Sequence, residues 1–285
     1  MIVVTGATGN VGQPLVAALA GAGAQVRAVS RRPPAAGWIE ALPQGVHHRS
    51  ADLADTDRLP AVLDGAEALF LLVAGDLLGG AGDPARLMEV AKAAGVRRVV
   101  LLSSQICGTR PDVLSHAGLR AYEDAVRESA PEWTLLRPSG FASNAFAWAG
   151  EVRARRTVEA PFADVALPVV DPLDLAEVAA AALLSPAHAG RTYVLTGPAA
   201  VSPREQADAI GAALGEPVRL AELTREQARE RFSQFMPGPV VEGTLSILGE
   251  PLLAEQAVSA HVEEVLGRPA HGFAHWAERN AEAFR

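Results

Sequence analysis

Three glycines near the head of the chain stand in the run Thr5-Gly6-Ala7-Thr8-Gly9-Asn10-Val11-Gly12. A G-x-x-G-x-x-G run between an apolar strand and a helix is the pattern of a dinucleotide-binding turn. Gly6 permits the tight turn, Gly9 lets the backbone approach a pyrophosphate, and Gly12 lets the helix pack closely on the strand. The helix start offers free N–H groups and a partial positive charge to phosphates. Gly6, Thr8, Gly9, Asn10, Val11 and Gly12 are therefore candidate cofactor-binding residues. The second strand ends in Ser30, followed by Arg31 and Arg32. A site for NAD usually places a carboxylate there, to hold the ribose 2′-hydroxyl. Guanidinium groups pair with a 2′-phosphate instead, which points to NADP(H) as the cofactor. The other reading of the two arginines is a solvated turn before Pro33-Pro34. Asp52 and Leu53 fall where the adenine edge would lie.

Groups able to move protons are few. The chain has one lysine, Lys92, and two tyrosines, Tyr122 and Tyr193. His116, in a loop entering a helix, could act as an acid near neutral pH. Tyr122 could donate a proton without a lysine's help, although its helical spacing also suits a core position. Cys107, the single cysteine, excludes an intramolecular disulfide and reads as an inert, partly buried thiol. His271 and His275 have an i, i+4 spacing that could hold a metal. With no third ligand motif beside them they read as an amphipathic helix, and no metal is expected. His47-His48 reads as loop. Phe141, Phe146 and Trp148, with Phe232, Phe235 and Met236, could wall an apolar substrate pocket or form plain core.

These residues need a scaffold. Short apolar runs alternate with helical patterns, which argues for an α/β fold with a doubly wound parallel sheet of the Rossmann type. The runs Ile2–Thr5, Val26–Ser30, Val46–Ser50, Ala68–Ala74, Val99–Ser103 and Trp133–Leu136 read as its strands, and Pro138 ends the last. Val165–Val170 and Arg191–Thr196 read as further strands, and Leu173–Leu184 as an Ala-rich helix. From Ser202 onward the pattern is mostly helical, broken at Met236-Pro237-Gly238-Pro239. The expected division is a dinucleotide-binding domain over 1–138, with 165–198 returning to the sheet, and a mostly helical substrate lobe over 139–164 and 199–285.

The 285 residues are 49% hydrophobic and 20% charged, with a formal net charge of −8. That balance argues against a nucleic-acid partner, and no apolar run approaches the length of a membrane span. The chain opens on an apolar strand with no basic leader, so a cytoplasmic protein is expected. The expected partner is a small-molecule acceptor, aromatic or quinone-like; the sequence carries no statement of oligomeric state.

Taken together, the chain resembles the atypical short-chain dehydrogenases, in particular the NmrA-like group that includes NADPH-dependent quinone reductases. The likeness runs through the Gly6-Gly9-Gly12 motif, Val26 to Arg32, Asp52-Leu53 and Leu101-Leu102-Ser103-Ser104. It continues in Glu123 with Thr134 to Pro138, in Asp174 with Ala176, in Gly190 to Pro198 and in Phe273 to Phe284. The resemblance implies that Leu72, Val73, Ser103 and the Pro138–Phe141 loop border the cofactor, the nicotinamide above all. Most short-chain dehydrogenases protonate a carbonyl product through a Tyr-x-x-x-Lys pair. Counted from Glu123, those two positions hold Ser115 and Leu119, and the family's serine position holds Gln105. The ordinary relay is absent. The expected activity is therefore NADPH-dependent hydride transfer to a conjugated acceptor such as a quinone. Two alternatives stay open: a non-catalytic NADP(H)-binding redox sensor, and a carbonyl reductase with a displaced acid.

Overall fold

The computed structural model describes residues 1–31, 37–39, 41–77 and 82–285. In chain order the first half runs β1 (Ile2–Thr5), α1 (Gly12–Gly21), β2 (Val26–Ser30), β3 (Val46–Ser50), α2 (Leu59–Leu63), β4 (Ala68–Leu72), α3 (Pro84–Ala93), β5 (Arg98–Leu102), α4 (Ile106–Thr109), α5 (Ala117–Ser129) and β6 (Glu132–Pro138). The second half runs α6 (Ala149–Arg155), β7 (Thr157–Pro161), α7 (Pro172–Leu184), β8 (Arg191–Leu195), α8 (Pro203–Leu214), β9 (Arg219–Leu223), α9 (Arg225–Phe232), α10 (Gly238–Gly249), α11 (Leu253–Gln256), α12 (His261–Leu266) and α13 (Phe273–Arg279).

One compact unit comprises 1–107, 116–138 and 172–194. Its seven-stranded sheet has the order β3-β2-β1-β4-β5-β6-β8, parallel from β3 through β6. Parallel strands covered on both faces must be apolar along their length, and β1 is buried at all four positions. Side chains alternate between the two faces. Val3, Leu69, Leu71, Val99, Leu101 and Leu135 meet α2, α3 and α5 on one face. On the other, α7 packs across β4, β5 and β6 and against α1. The strand order reverses between β1 and β4, and ligands of open α/β sheets bind outside the carboxyl ends of the strands at such a point.

The other unit comprises 108–115, 139–171 and 195–285. Its core gathers Phe273, Trp276, Phe284, Ile210 and Val152, with a two-stranded parallel sheet of β7 and β9. Both strands escaped the sequence pattern, because β9 is largely exposed and β7 alternates over only five residues. Two non-glycine residues with positive φ, Arg156 (49°) and Phe162 (55°), bracket β7. Arg156 is held there by bonds from its N–H and Nη1 to Val152 O, both 2.9 Å, and by Glu216.

The expected strand over Val165–Val170 is not formed. Pro168 has no N–H to offer a ladder, and the neighbouring amides go elsewhere: Val165 to Phe162 O, Leu167 to Val201 O, Val170 to Gly140 O. Only isolated bridges result, Phe141 with Val170 and Leu167 with Val201. Of the stretch 165–198, residues 172–194 pack with the large sheet, whereas 165–171 and 195–198 belong to the second unit. Among the described residues no helix is long and apolar enough to cross a membrane.

Candidate cofactor site

The cavity at the β1/β4 reversal is about 390 Å³. Its floor is the glycine turn. Gly6 has φ +65°, and Gly9 N–H donates to Gly6 O at 3.0 Å. A Cβ on Gly12 would lie 2.1 Å from Gly6 O and 2.7 Å from Ala7 Cα, so only glycine lets α1 start this close to β1. No side chain caps α1, and no carboxylate occupies its first turn. An uncapped helix start beside a glycine cradle fits a pyrophosphate, which would take both the N–H groups and the dipole.

Thr5, unnoticed in the sequence, pins this floor. Its Oγ1 donates to Phe70 O at 2.9 Å and accepts from Leu72 N–H at 2.8 Å, stitching β1 to β4 beyond the last ladder pair. Gly6, Thr8, Gly9 and Leu72 line the cavity; Asn10, Val11, Gly12 and Val73 do not. Asn10 is exposed, and the Val11 and Val73 side chains are buried in the core.

Ser30 and Arg31 line the cavity at the end of β2, with Asp52 and Leu53 opposite. The Arg31 guanidinium carries no ion pair among the described residues and lies beside Gly75, where a Cβ would stand 3.5 Å from Nη1. Arg32 lies outside the described residues. Asp52 Oδ1 accepts Ala54 N–H at 3.0 Å. Ser30 Oγ shares a 2.8 Å hydrogen bond with His48 Nε2, and Trp38 packs edge-on against the His48 ring at 5.8 Å. His48 belongs to β3 rather than a loop, in register with Ala28. Burial lowers its pKa below the usual histidine value, which keeps it neutral at pH 7.

The proton-transfer candidates do not gather at this cavity. Tyr122 is only 1% exposed, within the core beneath α3 and α5. Its hydroxyl has no hydrogen-bond partner among the described residues, and a Cβ on Gly82 would sit 2.2 Å from it. Burial, then the charge of Asp83, pushes its pKa above the ordinary tyrosine value. His116 stands at the residue before α5, half-buried, and its side chain makes no capping bond. Burial, then the charge of Arg120, lowers its pKa, which favours the neutral imidazole over the acid form at pH 7. Lys92 is exposed on α3, and Leu119 lies in the core.

Ser103 is committed elsewhere. Its hydroxyl donates to Glu123 Oε1 at 2.5 Å, and Glu123 also receives Arg137 Nε and Arg127 Nη2. The buried Cys107 thiol lies beside this group, and its pKa is raised by burial against a smaller lowering from Ser103. Pro138 closes β6, where its carbonyl accepts Gln105 N–H at 2.9 Å.

In the second unit the expected pocket aromatics divide. Phe146, partly buried, packs its ring 4.9 Å from Trp276 and 6.1 Å from Phe284 against the unit's core, and Trp148 packs against the same cluster. Phe141 stays half-buried at the bridge to Val170. Phe232 and Met236 belong to a small cluster around Val241 and Leu245, while Phe235 is 65% exposed.

The family model described as NAD(P)H-binding matches residues 6–186. Over 287 residues the chain is 38% identical to the (4-alkanoyl-5-oxo-2,5-dihydrofuran-3-yl)methyl phosphate reductase of Streptomyces griseus, covering 100% of this chain and 99% of that protein. It is 32% identical over 289 residues to the NAD(P)H azoreductase of Xenophilus azovorans, again covering 100% and 99%. Its fold matches the NADPH-dependent quinone oxidoreductase of Escherichia coli complexed with NADPH, at a TM-score of 0.81 and 24% identity, covering 98% and 99% of the two chains. The glycine cradle, the uncapped helix start, the family match and these full-length likenesses make the chain a member of the NAD(P)H-binding family, and an NAD(P)H-dependent oxidoreductase.

Proposed function

We propose that the chain is an NADPH-preferring reductase that delivers hydride to a conjugated, electron-poor acceptor and lets water supply the proton. The observation that carries this reading is the state of the acid candidates: Tyr122 is sealed in the core, His116 is neutral, and Leu119 stands where a lysine would be. Bound NADPH supplies the hydride, two electrons with one hydrogen. Gly6, Gly9 and the start of α1 would hold its phosphates, and Arg31, without an ion pair among the described residues, would meet the 2′-phosphate.

The acceptor class follows from acidity. An isolated ketone becomes an alkoxide, whose protonation by a positioned donor is worth roughly 10²–10⁴-fold. A quinone becomes a phenolate, whose conjugate acid has a pKa of about 10, so water suffices. The named activities of the relatives support the same class. An azo bond, a quinone and a ring alkene flanked by an alkanoyl group and a lactone carbonyl all spread the incoming charge.

The experiment is NADPH consumption by the purified chain against benzoquinones, naphthoquinones, azo dyes, an acyl-substituted unsaturated lactone and aliphatic ketones. Conjugated acceptors should be reduced at rates at least about 100-fold above the ketones. Ketone turnover equal to quinone turnover would overturn the reading and point to an acid displaced from its usual place.

A further inference from the structure

Asp171, His271 and His275 each bring a ligand atom into one cluster, all within 4.8 Å of one another. The two histidines frame the start of α13, His271 two residues before it and His275 in its first turn. The extended backbone at Gly272 leads from the first ring into the helix that carries the second. The two rings lie face to face, centroids 4.4 Å apart and 12° from parallel. Asp171, 1% exposed, comes from a segment a hundred residues earlier in the chain. Its Oδ2 accepts from Arg279 Nη2, in the last turn of α13. The helix supplies one imidazole and the guanidinium that orients the carboxylate, and the segment leading into it supplies the other imidazole.

We propose that Asp171, His271 and His275 form a site for one divalent transition-metal ion of the zinc, cobalt, nickel or copper class. Two imidazoles and one carboxylate suit these borderline ions and suit magnesium or calcium poorly, since both prefer all-oxygen shells. Three protein ligands leave a further position open to water. Bonds of about 2.0–2.1 Å require the donors to close in by roughly an ångström. His275 is exposed and His271 half-buried, so the movement falls first on the His275 ring. Arg279 plays the part of an outer-shell donor that orients the carboxylate. Its positive charge opposes a dication, so the affinity falls below that of a closed four-ligand site. The ion would clasp Asp171 to α13 within the second unit.

The test uses the full chain without a histidine tag, stripped with a chelator and titrated with zinc, cobalt or magnesium chloride. Calorimetry should find one zinc per chain, cobalt should develop a visible d–d band, and both should raise the melting temperature, with magnesium inert. H275Q should weaken zinc binding at least about tenfold, while leaving the metal-free melting temperature unchanged. H271Q should act likewise. D171N also breaks the Arg279 pair, so the histidine variants are the ones that decide. Absence of zinc and cobalt binding would overturn the site, as would full-strength binding in both histidine variants. Either result leaves the reductase reading untouched.

Discussion

Arg137 on β6 grips Glu123 on α5 through both carboxylate oxygens, Nε to Oε1 at 2.8 Å and Nη2 to Oε2 at 2.5 Å. The carboxylate is 2% exposed, and Ser103 and Arg127 supply its remaining bonds. One buried anion thus ties the end of β5, the middle of α5 and the end of β6 at the carboxyl edge of the sheet.

Glu123→Gln should lower stability by ~3–5 kcal/mol, because it leaves two guanidiniums beside a group that no longer carries charge. Burial alone would raise the Glu123 pKa, but the bonds from Arg137 and Ser103 and the charges of Arg137 and Arg127 outweigh it and hold the group below the usual carboxylate range. A carboxylate lowered in the folded state contributes stability above its unfolded pKa, about 4.3. That contribution fades as pH falls through the folded value. Urea unfolding at a series of pH values checks this: the gap between parent and variant should be widest near pH 7 and shrink below about pH 4. A gap independent of pH would refute the electrostatic account.

Arg31→Ala should weaken NADPH binding ~10- to 100-fold, the range of a lost charge-assisted hydrogen bond, and leave NADH binding nearly unchanged. Calorimetric titration with both cofactors reads the difference directly. Equal affinities for NADPH and NADH in the parent protein would remove the role given to Arg31.

Gly12→Ala should cost ~1–3 kcal/mol or more, since the added methyl meets the Gly6 carbonyl and the Ala7 backbone rather than a flexible side chain. Thermal unfolding and cofactor affinity should fall together, because the same shift reshapes the phosphate cradle. A variant that melts like the parent would show that α1 can move without consequence.

Tyr122→Phe should keep most of the NADPH-dependent turnover and be as stable as the parent or more so, by up to ~1–3 kcal/mol, because it removes a buried hydroxyl without a partner among the described residues. A thousandfold loss of turnover would make Tyr122 the proton donor.

Local pattern determined much of this protein. A buried parallel strand must be apolar along its length, so β1, β2, β4, β5 and β6 announced themselves as runs. The phosphate turn was legible because a close helix–strand approach leaves no room for a Cβ at Gly12. The missing lysine was legible by counting. What the chain's order hides is which side chains meet. Tyr122 could be solvent-facing or sealed, and packing beneath α3 and α5 sealed it. Phe146 meets Trp276 and Phe284, more than a hundred residues away, and no local pattern announces that contact. The strand expected over Val165–Val170 failed because its amides found partners on three separate segments. Asp171 shares no local motif with His271 and His275, and only tertiary folding sets its carboxylate beside their rings. Short-range sterics and burial write a period into sequence; contacts between distant segments write none.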